Sequence, residues 1–288
     1  HPAGKQDIYK VTMQDGSSCE VTDGHLWYSK PLKEGASRWA VRSTHYMRHS
    51  NRKYVLPLTG GVTHSEQELP LHPYVLGCLL GDGSITTRSI SISSGDKELI
   101  DTLRQHVTIT KRSSKYAYGV RGIAPHLRNL GLLGTGSHTK WVPPEYLIGS
   151  YTQRLWLLRG LLDTDGYVSV DGKVNYTSMS PHLLQAMQTL IRSVGGTAKP
   201  MKNGHTLYIR HPNSSILFNL SRKKKRCHTK KINNRILSIK YVGREYAQCI
   251  TIDSPAQLYI TDDYIVTHNS YAMLADPLRY MSHPQFSG

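Results

Sequence analysis

The sequence predicts a β-rich domain that is interrupted by a long α+β insertion, and three observations support this. Strand-like segments occur at both ends of the chain, in residues 1–69 and 236–269. Between them, in residues 70–235, helical and strand patterns alternate, and the alternation occurs twice in the same order. With 288 residues, the chain is long enough for two domains. We therefore expect a β-rich domain assembled from both ends, with the insertion as a second domain.

The β-rich parts are short segments of alternating polarity. Residues 8–13 and 18–22 alternate on either side of Asp15-Gly16, a dipeptide typical of hairpin turns. A basic stretch without a clear period follows, from residue 30 to about 67. Four further strand patterns complete the domain, at 236–242, 246–252, 258–260 and 264–267.

The insertion contains an internal duplication. Residues 75–83 (V-L-G-C-L-L-G-D-G) match residues 158–166 (L-R-G-L-L-D-T-D-G), so that Asp82 and Asp165 are paired at an offset of 83 (165−82). Downstream, His-Thr-Lys at 138–140 recurs at 228–230, which pairs Lys140 with Lys230 at an offset of 90 (230−140). Seven additional residues between two anchors are ordinary loop variation.

Each matched segment is predicted to be an apolar helix that ends at Asp-Gly. Small residues lie four apart on one face of each helix, Gly77 and Gly81 on the first and Gly160 and Thr164 on the second. Small residues at this spacing let two helix backbones approach closely. Packing along these faces would bring the C-terminal ends of both helices together.

This packing would place Asp82 beside Asp165. Carboxylates are disfavoured at the negative end of a helix, and two of them repel each other. A divalent cation relieves both effects, and paired acidic ligands suit Mg²⁺, which can drive phosphodiester hydrolysis. We predict a Mg²⁺ site at these two residues; the alternative is that each Asp-Gly only ends a helix.

The chain is strongly basic, with 36 Lys and Arg against 20 Asp and Glu and a formal charge of +16. Such an excess favours polyanions, because each neutralised phosphate releases condensed counterions. Lys140 and Lys230 could stabilise charge on a scissile phosphate. A basic run is predicted to position DNA phosphates from a solvated face. It comprises Arg222, Lys223, Lys224, Lys225 and Arg226. A soluble protein that is merely basic is the alternative.

The cysteines indicate a reducing compartment. Cys19, Cys78, Cys227 and Cys249 are widely spaced and include no C-x-x-C pair, as expected for reduced thiols. No apolar run has membrane-spanning length, and no signal peptide opens the chain. We expect a monomer in the cytoplasm of a bacterial cell, without a membrane partner.

The tripeptide His268-Asn269-Ser270 can break the chain unaided. The side-chain amide nitrogen of Asn269 can attack its own carbonyl carbon, which closes a succinimide and releases Ser270 as a free amine. His268 can donate a proton to the leaving amine, and Ser270 supplies a nucleophile.

Together these features resemble an intein: a Hint-type, horseshoe-like β domain that splices without a cofactor, with a two-motif LAGLIDADG homing endonuclease in residues 70–235. The endonuclease likeness rests on residues 158–166 and 75–83, where Leu80 and Gly81 stand in place of the usual acidic residue and Ala. It implies two αββαββα-type halves whose saddle-shaped sheets read DNA through the major groove.

The resemblance also implies roles for the duplicated residues. Asp82 and Asp165 would hold the catalytic Mg²⁺, Lys140 would be the basic catalytic residue, and Lys230 would be its counterpart. The substrate would be double-stranded DNA of a host gene that lacks the intein.

In the splicing part, Thr22 and His25 resemble the T-x-x-H motif, in which Thr and His polarise the upstream peptide bond. Cys249 stands where inteins place Asp or Cys near both junctions, and Gln257 stands where His is usual. The upstream motif with its Cys or Ser nucleophile is not found. We therefore expect a truncated chain or a separate N-terminal segment, with its exteins, as a partner.

Residues 270–288 resemble the segment after the Walker A lysine in phage terminase large subunits, the ATPases that package DNA. They would be a C-terminal extein from a phage or prophage gene, and Ser270 would also be the Mg²⁺-binding hydroxyl of the host. Two other interpretations remain open: a LAGLIDADG module that binds DNA or RNA without cleavage, and a fragment of an ATPase with a passive insert.

Overall fold

The computed structural model describes residues 2–32, 38–250, 252–253, 255–269 and 273–274. The chain divides into two compact units: an outer unit of residues 1–59 and 233–288, and an insertion unit of residues 60–232. The insertion unit therefore begins at residue 60, before the expected boundary at 70.

Among the described residues, no helix has the length and apolar character needed to cross a membrane.

The outer unit opens with β1 (Pro2–Met13), β2 (Ser18–Thr22), β3 (Leu26–Pro31), β4 (Ala40–Ser43), α1 (Thr44–Arg48) and β5 (Tyr54–Leu56). The first half of the insertion unit contains α2 (Pro73–Asp82), β6 (Gly83–Ile85), β7 (Ile90–Ser93), α3 (Lys97–Arg104), β8 (Thr108–Lys111), β9 (Ala117–Arg121) and α4 (Ala124–Asn129). After α5 (Pro144–Leu147), the second half contains α6 (Tyr151–Asp165), β10 (Gly166–Val168), β11 (Val174–Thr177), α7 (Pro181–Ser193), β12 (Thr197–Pro200), β13 (Thr206–Arg210), a 3-10 turn (Ser214–Leu217) and α8 (Ser221–Lys224). The outer unit resumes with β14 (Asn234–Cys249), β15 (Leu258–Ile260), β16 (Val266–His268) and β17 (Met273–Leu274).

The first hairpin of the outer unit forms around Asp15. β1 and β2 pair antiparallel, with Val11 opposite Cys19, which confirms the predicted hairpin. The Asp15 carboxylate accepts hydrogen bonds from the Ser17 amide at 3.1 Å and from the Ser17 hydroxyl at 2.6 Å. An Asp side chain that binds the backbone two residues later is a common way to fix such a turn.

Residues 234–249 form one long strand, β14, rather than the two strands predicted at 236–242 and 246–252. β1 pairs with β14 across the predicted interruption, and the register shifts between Ile8 and Tyr9, where Gly243 lies opposite Ile8. Gly243 has a φ of +145°, which glycine tolerates and other residues rarely adopt. The glycine therefore makes a bulge in a continuous strand, not a turn.

The insertion unit is built from two halves of the same topology. Each half has a four-stranded antiparallel sheet, ordered β6-β7-β9-β8 in the first and β10-β11-β13-β12 in the second. In each half a long helix precedes the first strand and a second helix joins the second and third strands, so both halves follow the order αββαββ. This confirms the α+β class predicted for the insertion.

The ends of the two long helices are fixed by local sequence. α2 begins with Pro73 at its first turn, and α6 begins with a capping box between Ser150 and Gln153. Both end at Asp-Gly, as predicted, because the glycines turn into extended backbone, with φ of −79° at Gly83 and −86° at Gly166. A Cβ atom at either glycine would collide with the carbonyl group four residues earlier.

Candidate active sites

The helices α2 and α6 cross at two glycines. A Cβ atom at Gly77 would lie 2.5 Å from the Leu157 carbonyl oxygen, and one at Gly160 would lie 2.5 Å from the Tyr74 carbonyl oxygen. Further along, a Cβ atom at Gly81 would collide with the Thr164 side chain. The predicted packing along small-residue faces is therefore confirmed, and it sets the spacing of the helix ends.

Asp82 and Asp165 occupy these neighbouring helix ends. Burial raises the pKa of Asp165 to about 6, and the Asp82 carboxylate raises it as well, while Lys140 and Lys223 oppose the rise. Asp82 is exposed as a residue, yet partial burial of its carboxyl group raises its pKa, again opposed by Lys140 and Lys223. The two acids therefore share one electrostatic environment with two lysines.

This pair suits a divalent cation. The structure gives no hydrogen bond from any described residue to either carboxylate, although both are partly desolvated and one raises the pKa of the other. Such carboxylates favour a bound cation. Within the described residues no group of three or more His, Cys, Asp or Glu side chains could hold a metal. Asp82 and Asp165 would thus leave further coordination positions to phosphate oxygens and water.

Lys140 lies beneath the end of α2. It is 4% exposed, and its ammonium group donates hydrogen bonds to the carbonyl oxygens of Leu79 at 2.9 Å, Gly81 at 3.0 Å and Gly83 at 2.7 Å. Burial lowers the pKa of Lys140, and Asp165 and Asp82 oppose that fall. A cation at this position also offsets the negative end of the helix.

Lys223 makes the equivalent contacts in the second half. It is 5% exposed and donates to the carbonyl oxygens of Leu162 at 2.7 Å, Asp163 at 2.8 Å and Gly166 at 2.6 Å. Lys223 follows Asp165 by 58 residues (223−165), as Lys140 follows Asp82 (140−82). Burial lowers the pKa of Lys223 to about 8, which leaves it mostly protonated at pH 7.

Two predictions about the lysines are therefore wrong. Lys230 is not the counterpart of Lys140, because it is exposed and its ammonium lies 3.3 Å from the Asp171 carbonyl oxygen. Lys223 does not belong to a solvated face, because its charge is enclosed by the end of α6. A lysine in a charge run can be buried wherever backbone carbonyls supply its acceptors.

The rest of the basic run is at or near the surface. Lys225 and Arg226 are exposed and Lys224 is half-buried. Arg222 is exposed and forms an ion pair with Asp96, with Nη2 and Oδ2 2.6 Å apart. Lys224, Lys225 and Arg226 stay the accessible cations of the predicted DNA-binding run.

Asp163 is a buried acid to which the sequence analysis assigned no role. It accepts a hydrogen bond from the Tyr74 hydroxyl at 2.9 Å and from the backbone amides of Asn219 and Leu220 at 3.1–3.2 Å. Burial raises its pKa to about 6, although these donors oppose the rise. Its equivalent in the first half is Leu80, so the two halves differ at this point. The sequence does show this difference: when the two repeats are aligned, the acidic Asp163 corresponds to the apolar Leu80.

The sheet of the first half carries a basic groove. Strand and loop residues line it, among them the cations Arg88, Lys111, Arg112 and Arg121. No ion pair joins these four side chains to an acidic residue of the described chain. Cations that line a groove without an acidic partner attract a polyanion.

In the outer unit, the turn Thr22–His25 lies against β16. Nε2 of His25 forms a hydrogen bond with the Thr267 hydroxyl, and the His25 amide donates to the Thr22 carbonyl at 3.2 Å. Burial, with a smaller contribution from His268, lowers the pKa of His25 to about 3. The structure thus brings His25, Thr267 and His268 together, with Thr22 buried in the adjoining turn.

Asn269 directly follows β16. Its amide donates to the Gln257 carbonyl at 2.6 Å, and its side-chain amide fits between the Ile250 carbonyl and the Ile252 amide, each at 3.0 Å. Cys249 ends β14 and pairs with Met273 in register. Ser270 lies outside the described residues, as do residues 271–272 and 275–288 of the predicted extein.

Comparison with known proteins finds a family resemblance in the second half of the insertion unit and the start of β14. Residues 152–244 match the protein-family model described as a LAGLIDADG-like domain, which confirms the predicted LAGLIDADG resemblance for this part of the chain. The chain is 30% identical to the replicative DNA helicase DnaB of Mycobacterium intracellulare, over 91% of its own length and 50% of the helicase. It is 28% identical to the ATP-dependent DNA helicase Hel308 of Thermococcus kodakarensis, over 48% of its length and 14% of that protein. The chain thus spans half or less of each relative.

Among solved structures, I-DmoI in complex with DNA and Mn shares 13% identity, with a TM-score of 0.33 over 49% of this chain and 89% of that one.

Proposed function

Because residues 152–244 match a LAGLIDADG-like domain, we propose that the insertion unit is an endonuclease that cuts double-stranded DNA at a specific site. One observation carries this proposal: two equivalent helices end in adjacent carboxylates, Asp82 and Asp165, and each helix end is neutralised by its own buried lysine. The substrate we propose is the host gene without the inserted sequence.

The carboxylates would hold a divalent cation, for which we propose Mg²⁺. A metal held by Asp82 and Asp165 would polarise a phosphoryl oxygen and activate a water molecule. Lys140 was predicted, with Lys230, to stabilise charge on the scissile phosphate, and we propose a different role for the two buried lysines, Lys140 and Lys223. A lysine ammonium has three N–H donors, and those of Lys140 and Lys223 are all directed to carbonyl oxygens. We therefore assign them as positioning residues, which fix the helix ends and add positive charge beside the acids.

The DNA backbone would lie along the sheets of the insertion unit. The groove with Arg88, Lys111, Arg112 and Arg121 supplies cations on the first half, and Lys224 to Arg226 supply them on the second. Contacts of this kind set affinity and register, whereas base contacts set the target sequence.

Cleavage of the uninterrupted host gene tests this proposal. Asp82→Asn and Asp165→Asn should each abolish double-strand cutting in Mg²⁺, because a metal ligand is lost, and should leave DNA affinity nearly unchanged. Asp101→Asn is the matched control, since Asp101 is a surface acid paired with Arg104 at 2.8 Å. Normal cutting by both single variants would remove the site assignment. Binding without cutting by the parent chain would favour the non-cleaving module.

We also propose that the outer unit is the splicing domain of an intein. The supporting observation is that the T-x-x-H turn and the strand leading to Asn269 are in contact through His25 and Thr267. An alignment that covers nearly all of this chain but half of one helicase is expected when an insert is carried by different hosts. The terminase-like host suggested by residues 270–288 belongs to the same proposal.

The chemistry at the downstream junction is self-contained. The Asn269 side-chain nitrogen attacks the Asn269 carbonyl carbon and gives up one proton, the bond to the Ser270 nitrogen breaks, and the departing amine gains one proton, which His268 transfers. The products are a C-terminal succinimide and a peptide that begins at Ser270. When an upstream segment with its extein is supplied, Ser270 would join the two exteins.

Mass spectrometry of the purified chain over time measures this release. Asn269→Ala should stop it and His268→Ala should slow it, whereas Asn203→Ala, in an exposed turn of the insertion unit, should leave it unchanged. Release at the parent rate from Asn269→Ala would mean that a protease cuts the chain.

A further inference from the structure

The hydroxyl hydrogen of Thr267 determines which ring nitrogen of His25 is protonated. Thr267 lies in β16, two residues before Asn269, and its hydroxyl oxygen contacts Nε2 of His25. The same oxygen lies 3.1 Å from the Leu26 carbonyl oxygen. Both His25 and Thr267 are fully buried, so water does not compete for these contacts.

The hydroxyl of Thr267 has one hydrogen to donate. A carbonyl oxygen can only accept, so the contact with Leu26 uses that hydrogen. The Thr267 oxygen is then the acceptor for His25, and Nε2 of His25 must carry a hydrogen. A neutral imidazole carries one ring hydrogen, which leaves Nδ1 as the unprotonated nitrogen.

Nδ1 of His25 is buried, and no described residue forms a hydrogen bond with it. Burial lowers the pKa of His25 to about 3, so the ring is neutral at pH 7. A buried acceptor without a donor is unfavourable, and it therefore marks a place where a donor from a ligand or from another peptide segment belongs.

We propose that Thr267 is a positioning residue that fixes the Nε2–H tautomer of His25 and thereby presents Nδ1 as acceptor for the N–H of the upstream peptide bond. This rests on the proposed splicing function. Thr267 lies in β16, the strand that leads to Asn269 at the downstream junction. The tautomer of His25, the residue assigned to the upstream junction, therefore depends on that strand.

The test is the ¹⁵N NMR spectrum of the full chain with ¹⁵N-labelled histidine at pH 7. An unprotonated ring nitrogen resonates far downfield of a protonated one, and the His25 signals are identified by their loss in His25→Gln. The parent should show a protonated Nε2 and an unprotonated Nδ1. Thr267→Ser should keep this signature, whereas Thr267→Val should lose it and populate both tautomers.

Thr261→Val is the control, because it removes another buried threonine hydroxyl of the outer unit that bonds to Ile265 rather than to His25. If Thr267→Val does not fold, Thr267→Ala replaces it. A hydrogen on Nδ1 in the parent, or an unchanged signature in the folded valine or alanine variant, overturns the proposal. Failure of the chain to release its C-terminal peptide would count against splicing and would leave these spectra unaffected, so the two failures are distinguishable.

Discussion

Replacing Lys223 by Met should destabilise the insertion unit without weakening its long-range attraction to DNA. Hydrogen bonds from a charged donor contribute about 1.5–3 kcal/mol each, so three contribute roughly 4.5–9 kcal/mol. Burial of the ammonium opposes them. The fall of the Lys223 pKa from 10.5 to about 8 corresponds to roughly 3 kcal/mol, at about 1.4 kcal/mol for each pH unit. The net loss is therefore about 1.5–6 kcal/mol; a loss near the middle of this range, about 3 kcal/mol, lowers the melting temperature of a domain of this size by roughly 6–12 °C.

The assay compares the parent, Lys223→Met and Lys225→Met by calorimetry of the full chain. The Lys225 variant is the matched control, because it removes an exposed cation two residues away and should leave the melting temperature nearly unchanged. The salt dependence of DNA affinity should respond the other way, with the larger effect in the Lys225 variant. Lys225→Met should reduce the slope of log affinity against log salt by about one, and Lys223→Met should change it little. Equal melting temperatures, together with a reduced slope for Lys223→Met, would refute the buried position of Lys223.

Three further predictions follow from the same structure. Gly160→Ala should destabilise the insertion unit by about 1–3 kcal/mol, because the new Cβ would lie 2.5 Å from backbone of the facing helix. Gly136→Ala, where a Cβ meets nothing within 4 Å, is the control, and equal urea midpoints would contradict the close crossing. Divalent-cation affinity measured by titration calorimetry should fall about tenfold from pH 7 to pH 5, because Asp165, with a pKa of about 6, must lose its proton to bind; a constant affinity would argue against Asp165 as a ligand. For His25, the folded pKa of about 3 lies below the unfolded 6.5, so its contribution is fully present above pH 6.5 and is lost as the pH falls toward 3. The outer unit should lose about 2 kcal/mol between pH 6.5 and pH 5, and His25→Gln should lose that much less, whereas equal losses in both would contradict the neutral buried ring.

Local periodicity was sufficient to predict the helices that form the candidate nuclease site. Gly77 and Gly160 are spaced so that each helix has one small face, and Asp-Gly ends each helix, so the crossing and the neighbouring carboxylates could be derived from residues close in sequence. The bulge at Gly243 could not be derived in this way, because a glycine between two strand patterns predicts a turn unless the partner strand is known. β1 supplies that partner from the other end of the chain.

The lysines were predicted less well for a physical reason. The repeated His-Thr-Lys paired Lys140 with Lys230, whereas the structure pairs Lys140 with Lys223, at the offset of the aspartates. The two buried lysines have the same kind of acceptors, three backbone carbonyls at a helix end. Because every residue has a backbone carbonyl, these acceptors cannot be recognised from residue types in the sequence. Thr267 was missed for a related reason, since its role depends on one hydroxyl hydrogen and on a histidine more than two hundred residues away.

The hydrogen bond between Tyr74 and Asp163 joins unlike halves of the insertion unit. In the other half, Leu157 is equivalent to Tyr74, and Leu80 is equivalent to Asp163. Two copies of the first half would leave the Tyr74 hydroxyl against leucine, at a cost of about 1–3 kcal/mol for each unpaired polar group. Two copies of the second half would keep the Asn219 and Leu220 amide donors of Asp163 but would lose its bond from Tyr74. After a duplication, such a pair disfavours self-association of either half relative to pairing of the two unlike halves. The halves, made as separate chains, should therefore assemble as a heterodimer in preference to either homodimer.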